Sequence, residues 1–133
     1  MVSNATRREI EETLGQVPSF MEDLADPAGD HSWGIFRDLQ LGTDTELSAR
    51  EKALVGVGVA SAISCPYCTY FHNEEARLSG ATDDELEEAV NLASVTRYFS
   101  TVLHGNETDL EDFKTQTDEI VAHIKSQQAA ADD

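Results

Sequence analysis

The sequence predicts an all-α fold. Three observations carry this. Hydroxyl-x-x-acid signals recur ahead of apolar runs, and the apolar residues that follow them fall at helical spacing. The third is the placing of the breakers: Pro18, Pro27 and Gly29 cut the first third into short pieces, and Gly80 parts two helical runs.

In chain order, Thr6 with Glu9 reads as a first capping box, and Ile10, Leu14 and Val17 form a short stripe behind it. Beyond the breakers, Trp33, Phe36 and Leu39 form another. Ser48 with Glu51 opens a helix, and Thr82 with Glu85 opens the next but one. That later helix starts with Leu86, Ala89, Val90 and Ala93 on one side, then moves to Val95, Phe99, Val102 and Leu103 on the other. A helix buried on different faces along its length is expected at a domain centre or a subunit contact. Thr108 with Glu111 opens the last helix, striped by Leu110, Phe113, Ile120, Val121 and Ile124. The closing SQQAAADD is expected to fray. No repeat and no long linker occurs, so one compact helical domain is predicted over 1–125. It holds a core helix pair over 47–80 and carries a tail over 126–133.

LVGVGVAS admits a second reading, as a buried strand in which Gly56, Gly58 and Ser61 resemble a degraded dinucleotide fingerprint. That fingerprint needs a strand before it and a helix after it. Here the helix capped by Ser48 and Glu51 runs straight through the glycines. Small residues at Gly56, Gly58, Ala60, Ser61 and Ala62 are then read as permitting close helix approach.

Charge excludes several partners. Across 133 residues, 26 acids against 9 bases give a net charge of −17. Wrapping nucleic acid or anchoring on anionic lipid draws on clustered Lys and Arg, so neither is expected. Only three of the bases are lysines (Lys52, Lys114 and Lys125), and an acid-rich, Lys-poor surface suits a high-salt cytoplasm. The opening MVSNATRREIEE carries acids where the apolar part of a signal peptide belongs, so a cytoplasmic location is expected.

The charge is also uneven. Ala53 through Asn73 contains no charged residue in 21 positions. Its apolar part is too short for a membrane span, which needs about 20 residues. The same window contains Cys65-Pro66-Tyr67-Cys68, with His72 following. Pro66 suits the first helical position, which places Cys65 at the N-cap. At 100° per residue, Cys65, Cys68 and His72 share one face within roughly 60° of arc. A helix N-terminus favours a thiolate, and an imidazole one turn along can take a thiol proton. The N-cap argues for Cys65 as the attacking sulfur, and the i, i+4 relation to His72 argues for Cys68.

Blander readings of these residues exist. The cysteines could be core residues and His72 a satisfied core histidine. A zinc site could use Cys65, Cys68 and His72 with His31, His104 or His123 as fourth ligand. Structural zinc draws its ligands from two short segments, and no second Cys or His pair exists. Thr69 in place of a His after Cys68 rules out haem attachment, and a thioredoxin fold lacks its βαβ frame.

The run Leu47 to Ser94, with its capped helix, CxxC, following His72 and Gly80-Ala81-Thr82, resembles the carboxymuconolactone decarboxylase / alkylhydroperoxidase D-like family. The resemblance implies an all-α fold of that type, assembled as a homo-trimer or homo-hexamer. For the branch that carries a CxxC pair, it implies reduction of a hydroperoxide or disulfide by the two thiols, with no haem, flavin or metal. An unidentified dithiol would restore the pair. It assigns Cys65, Cys68 and His72 to the family's thiols and imidazole. The family's proton-relay Glu falls at Ala53 here, which leaves Glu51, two residues earlier, as a candidate acid. The family's other branch, implied to lack the cysteine pair, offers the alternative of a lyase or a small-acid binder.

Overall fold

The computed structural model describes residues 1–131. The described residues form α1 (Asn4–Leu14), α2 (Ser19–Glu22), α3 (Asp26–Ile35), a π-helical turn (Phe36–Leu41), α4 (Ala49–Ala62), α5 (Pro66–Leu78), α6 (Asp83–Gly105) and α7 (Leu110–Ala131). No strand occurs among them, so the all-α expectation holds and the strand reading of LVGVGVAS fails: α4 runs through Gly56 and Gly58. Internal packing divides into two compact units, Met1–Val90 and Asn91–Asp133.

Two small cores build the first unit. Val2, Ile10, Met21 and Trp33 are buried together, with Val17, Leu24, Phe36 and Leu41 against them. Trp33 is anchored at its polar edge, where Nε1 donates to Glu9 Oε2 at 3.0 Å; Arg37 holds the other Glu9 oxygen at 2.8 Å. Those two contacts keep the Glu9 carboxyl below its usual range, Arg37 contributing most. Glu9 is therefore a tertiary partner rather than a capping acid. The cap of α1 is Ser3, whose hydroxyl accepts the Thr6 N–H, one turn earlier than the sequence suggests. Of the stripe residues, Ile10 and Trp33 are buried, whereas Leu14 and Leu39 are exposed.

The second core joins α4, α5 and the start of α6 through Ala53, Val57, Ala76, Ala81 and Leu86. Alanines here let α4 and α5 approach closely, and the pair packs as a hairpin across a three-residue connection. Both capping boxes predicted at this hairpin are present. Ser48 N–H donates to Glu51 Oε2 while the Glu51 N–H donates to Ser48 Oγ; Thr82 and Glu85 do the same. Gly80, at φ +86°, supplies the left-handed residue that ends α5 and sends Ala81 N–H back to Ala76 O.

Lys52 is the buried charge of this unit. Its ammonium donates to Leu39 O at 2.9 Å, Gly42 O at 2.7 Å and Thr45 Oγ1 at 3.1 Å. All three N–H donors are used, and the carbonyls they meet flank the end of the π-helical turn.

The second unit comprises the later part of α6 and α7. Asp109 caps α7 by accepting the Asp112 N–H at 2.9 Å, so the predicted Thr108–Glu111 box is displaced by one residue; Glu111 instead pairs with Lys114. Within this unit Leu92, Val95, Phe99, Leu110, Phe113, Ile120 and Ile124 are all exposed. Of the stripe that changes sides along α6, Leu86 is buried in the second core, while Val95, Phe99 and Val102 on the later side are exposed. The segment expected to fray is helical to Ala131, where three alanines favour helix; 132 and 133 lie outside the described residues. No helix among the described residues is long and apolar enough to cross a membrane.

Candidate functional site

The site lies at the junction of α4 and α5, inside the uncharged window. α4 ends at Ala62, and Ser64 at φ +59° turns the chain, with Ser64 N–H donating to Ser61 O and Cys65 N–H to Ala60 O. A left-handed backbone is unfavourable for a serine, and the turn it makes delivers Cys65 to the N-cap of α5. Pro66 then occupies the first helical position, as its missing N–H predicts.

Cys65 and Cys68 are joined as a disulfide across that first turn, with Cα atoms 5.3 Å apart. Cys65 Sγ also accepts the Cys68 N–H at 3.2 Å, so the sulfur replaces the oxygen of an ordinary N-cap. Both cysteines are half-buried, and Cys65 borders an open groove of about 610 Å³. Ser61, Ser64, Thr69, Tyr70 and Asn73 contribute to its lining, which carries no charge.

His72 follows one turn after Cys68, half-buried, and its surroundings come from three elements. On α5, Glu75 Oε2 lies 2.9 Å from Nδ1. On α4, Gly56 supports the ring directly: a Cβ there would lie 2.5 Å from Cγ and 2.6 Å from Cε1. Phe71 meets the ring edge-on at 5.1 Å between centroids, and Phe36 from the π-helical turn meets Phe71 at 5.8 Å. From the same turn, Gln40 Nε2 donates to both Glu75 oxygens at 2.9 Å.

The structure thus brings Cys65, Cys68 and His72 onto one helix, as their spacing predicts, and leaves Glu51 out. The Ser48 backbone N–H, then its hydroxyl, hold the Glu51 carboxyl below the usual range. That capping box occupies the carboxylate at an exposed helix start. The acid that meets His72 is Glu75. Sequence reasoning missed it, although its i, i+3 spacing from His72 was readable. Ala53, in the register of the family's Glu, is fully buried among apolar side chains. His31, His104 and His123 are exposed, and no group of three or more His, Cys, Asp or Glu side chains among the described residues could hold a metal ion.

Comparison with known proteins gives three findings. The family model described as "Carboxymuconolactone decarboxylase family" matches residues 27–107, more than half of the chain. "Uncharacterized protein 4 in cox locus" of Paracoccus denitrificans is 36% identical over 63 residues. The aligned part is 47% of this chain, and the chain spans only 57% of that relative's length. A crystal structure of a protein from Methanobacterium thermoautotrophicum is 34% identical, with a TM-score of 0.55, over 66% of this chain and 96% of that one.

Proposed function

The chain belongs to the carboxymuconolactone decarboxylase family, and from that premise we propose that it is a thiol-dependent peroxidase or disulfide oxidoreductase of the CxxC type. The observation that carries the reading is the Cys65–Cys68 disulfide at the start of α5, with His72 one turn along. A disulfide this close in sequence closes only a short loop, so it contributes little as a staple. It is well placed to open and close.

In the proposed cycle the pair starts reduced. The dipole and free N–H groups at the start of α5 favour the thiolate there, and His72 accepts a thiol proton. One thiolate attacks the O–O bond of a hydroperoxide. The sulfur becomes a sulfenic acid, and the leaving alkoxide takes a proton to depart as the alcohol. The second thiol displaces hydroxide from the sulfenic sulfur, releasing water and forming the disulfide. An external dithiol then reduces it by exchange through a mixed disulfide. With a disulfide substrate, the same thiolate attacks sulfur instead of oxygen. The uncharged groove beside Cys65 offers no counter-charge for a small acid, which favours this reading over an acid-binding lyase.

We place the working protein in a reducing cytoplasm, as a homo-trimer or homo-hexamer. Val55 and Val59 on one face of α4, Ile63 at its C-cap, and the exposed Val95, Phe99 and Val102 of α6 supply surface for such contacts. The test of the reading is a free-thiol count on the reduced protein before and after one equivalent of an organic hydroperoxide. The expected count falls from two per chain to none, with no cross-link between chains. Two thiols that persist would overturn the reading.

A further inference from the structure

We propose that Glu75 is a positioning residue: braced by Gln40, it fixes His72 in the tautomer that carries its proton on Nδ1, leaving Nε2 as the base that serves the cysteine pair. The proposal rests on the dithiol reading above for what the base is used for. Its geometry stands independently.

A carboxylate only accepts hydrogen bonds. The 2.9 Å contact from Glu75 Oε2 to His72 Nδ1 therefore requires the proton on Nδ1, and the lone pair of the neutral ring falls on Nε2. This pair is shielded: 14% of the Glu75 side chain and 19% of the His72 side chain are exposed. A partly buried carboxylate needs a donor to hold it, and Gln40 provides one to each oxygen, from 35 residues away.

Gln40 stands on the π-helical turn, and Lys52 binds the carbonyls of Leu39 and Gly42 on either side of it. The extra residue per turn of a π-helix re-aims side chains, and such turns recur at functional sites. Here the turn aims Gln40 at α5. Gly56 then removes the side chain that would otherwise occupy the imidazole's seat. A chain of contacts thus runs from Lys52 through the π-helical turn to Gln40, Glu75 and His72, and it fixes both the ring's place and its tautomer. Once Nε2 takes a thiol proton, the resulting imidazolium lies beside the Glu75 carboxylate, the arrangement by which a buried acid orients a catalytic histidine elsewhere.

The experiment is a long-range 1H–15N correlation spectrum of reduced, 15N-histidine-labelled protein, with the His72 ring assigned by its loss in His72→Gln. Wild type is expected to show a protonated Nδ1 and a bare Nε2. In Glu75→Gln the amide, its oxygen engaged by Gln40, turns its NH2 toward the ring, and the proton moves to Nε2. Alkylation of the reduced cysteines at fixed pH should slow roughly tenfold or more. Gln40→Leu, which leaves the carboxylate in place but unbraced, should shift the same signals part of the way and serves if Glu75→Gln does not fold. A bare Nδ1 in wild type would overturn the proposal, as would a tautomer and alkylation rate unchanged in these variants. The thiol count separates the two ideas. Thiols that ignore hydroperoxide while the tautomer follows Glu75 refute the dithiol reading; reactive thiols with an indifferent tautomer refute the role of Glu75.

Discussion

Cys65→Ser and Cys68→Ser each lose hydroperoxide turnover with a dithiol reductant, by roughly 10³-fold or more. The expectation follows from the cycle: the disulfide needs both sulfurs, so neither alone completes it. The loss is not expected to come from unfolding. Both positions are half-buried, neither belongs to either apolar core, and serine is a favoured N-cap that can accept the Cys68 N–H in place of the sulfur. The two variants differ in one respect. Only the variant that keeps the attacking cysteine forms a sulfenic acid with one equivalent of hydroperoxide, which a carbon nucleophile captures and mass spectrometry locates. Steady-state rates, together with that adduct, check both parts. Turnover retained in either variant would remove the dithiol from the mechanism.

Gly56→Ala is the second large effect, and it is distant in sequence from every sulfur. The new Cβ would lie 2.5 Å from His72 Cγ, well inside contact distance, so the ring must leave its seat and its hydrogen bond to Glu75. Turnover should fall roughly 100-fold, the size expected when a general base is lost. Stability should change far less. Overpacking costs about 1–3 kcal/mol, and alanine recovers about 1 kcal/mol over glycine within a helix. Urea unfolding and turnover measured on the same preparation check the contrast. A variant that keeps full activity would show that His72 works from some other position.

Much of this architecture is legible in the sequence because local chemistry dictates it. The Ser48–Glu51 and Thr82–Glu85 boxes, Pro66 at the first position of α5 and Gly80 at its end are satisfied by residues a few positions apart. Cys65 at the N-cap of α5, with Cys68 and His72 inside that helix, follows from the same local spacing. The boxes at Thr6 and Thr108 mislead because a better-placed cap stands close by: Ser3 one turn before, Asp109 one residue after. A hydroxyl three residues ahead of an acid is a frequent pattern, and only the backbone decides which side chain closes the end.

The remainder of the site depends on contacts between elements. The one-residue change of pitch over Phe36–Leu41 leaves no mark in the residue pattern, and it brings Gln40 to a carboxylate 35 positions away. Gly56 was readable as a place of close approach; that an imidazole rather than a helix backbone approaches it was not. The family resemblance points upstream into α4 for an acid, and there Glu51 is held by its own cap. The carboxylate was one turn downstream.

The central claim is that Cys65 and Cys68 form a reversible intramolecular redox pair, and a redox titration tests it most directly. The protein is equilibrated across a series of reduced-to-oxidised dithiothreitol ratios, quenched by alkylation and weighed. The expected result is one two-electron transition in which both cysteines change together, within single chains, and which retraces itself from either direction. Cysteines that titrate separately, that link only between chains, or that remain in one state across the whole series would contradict it.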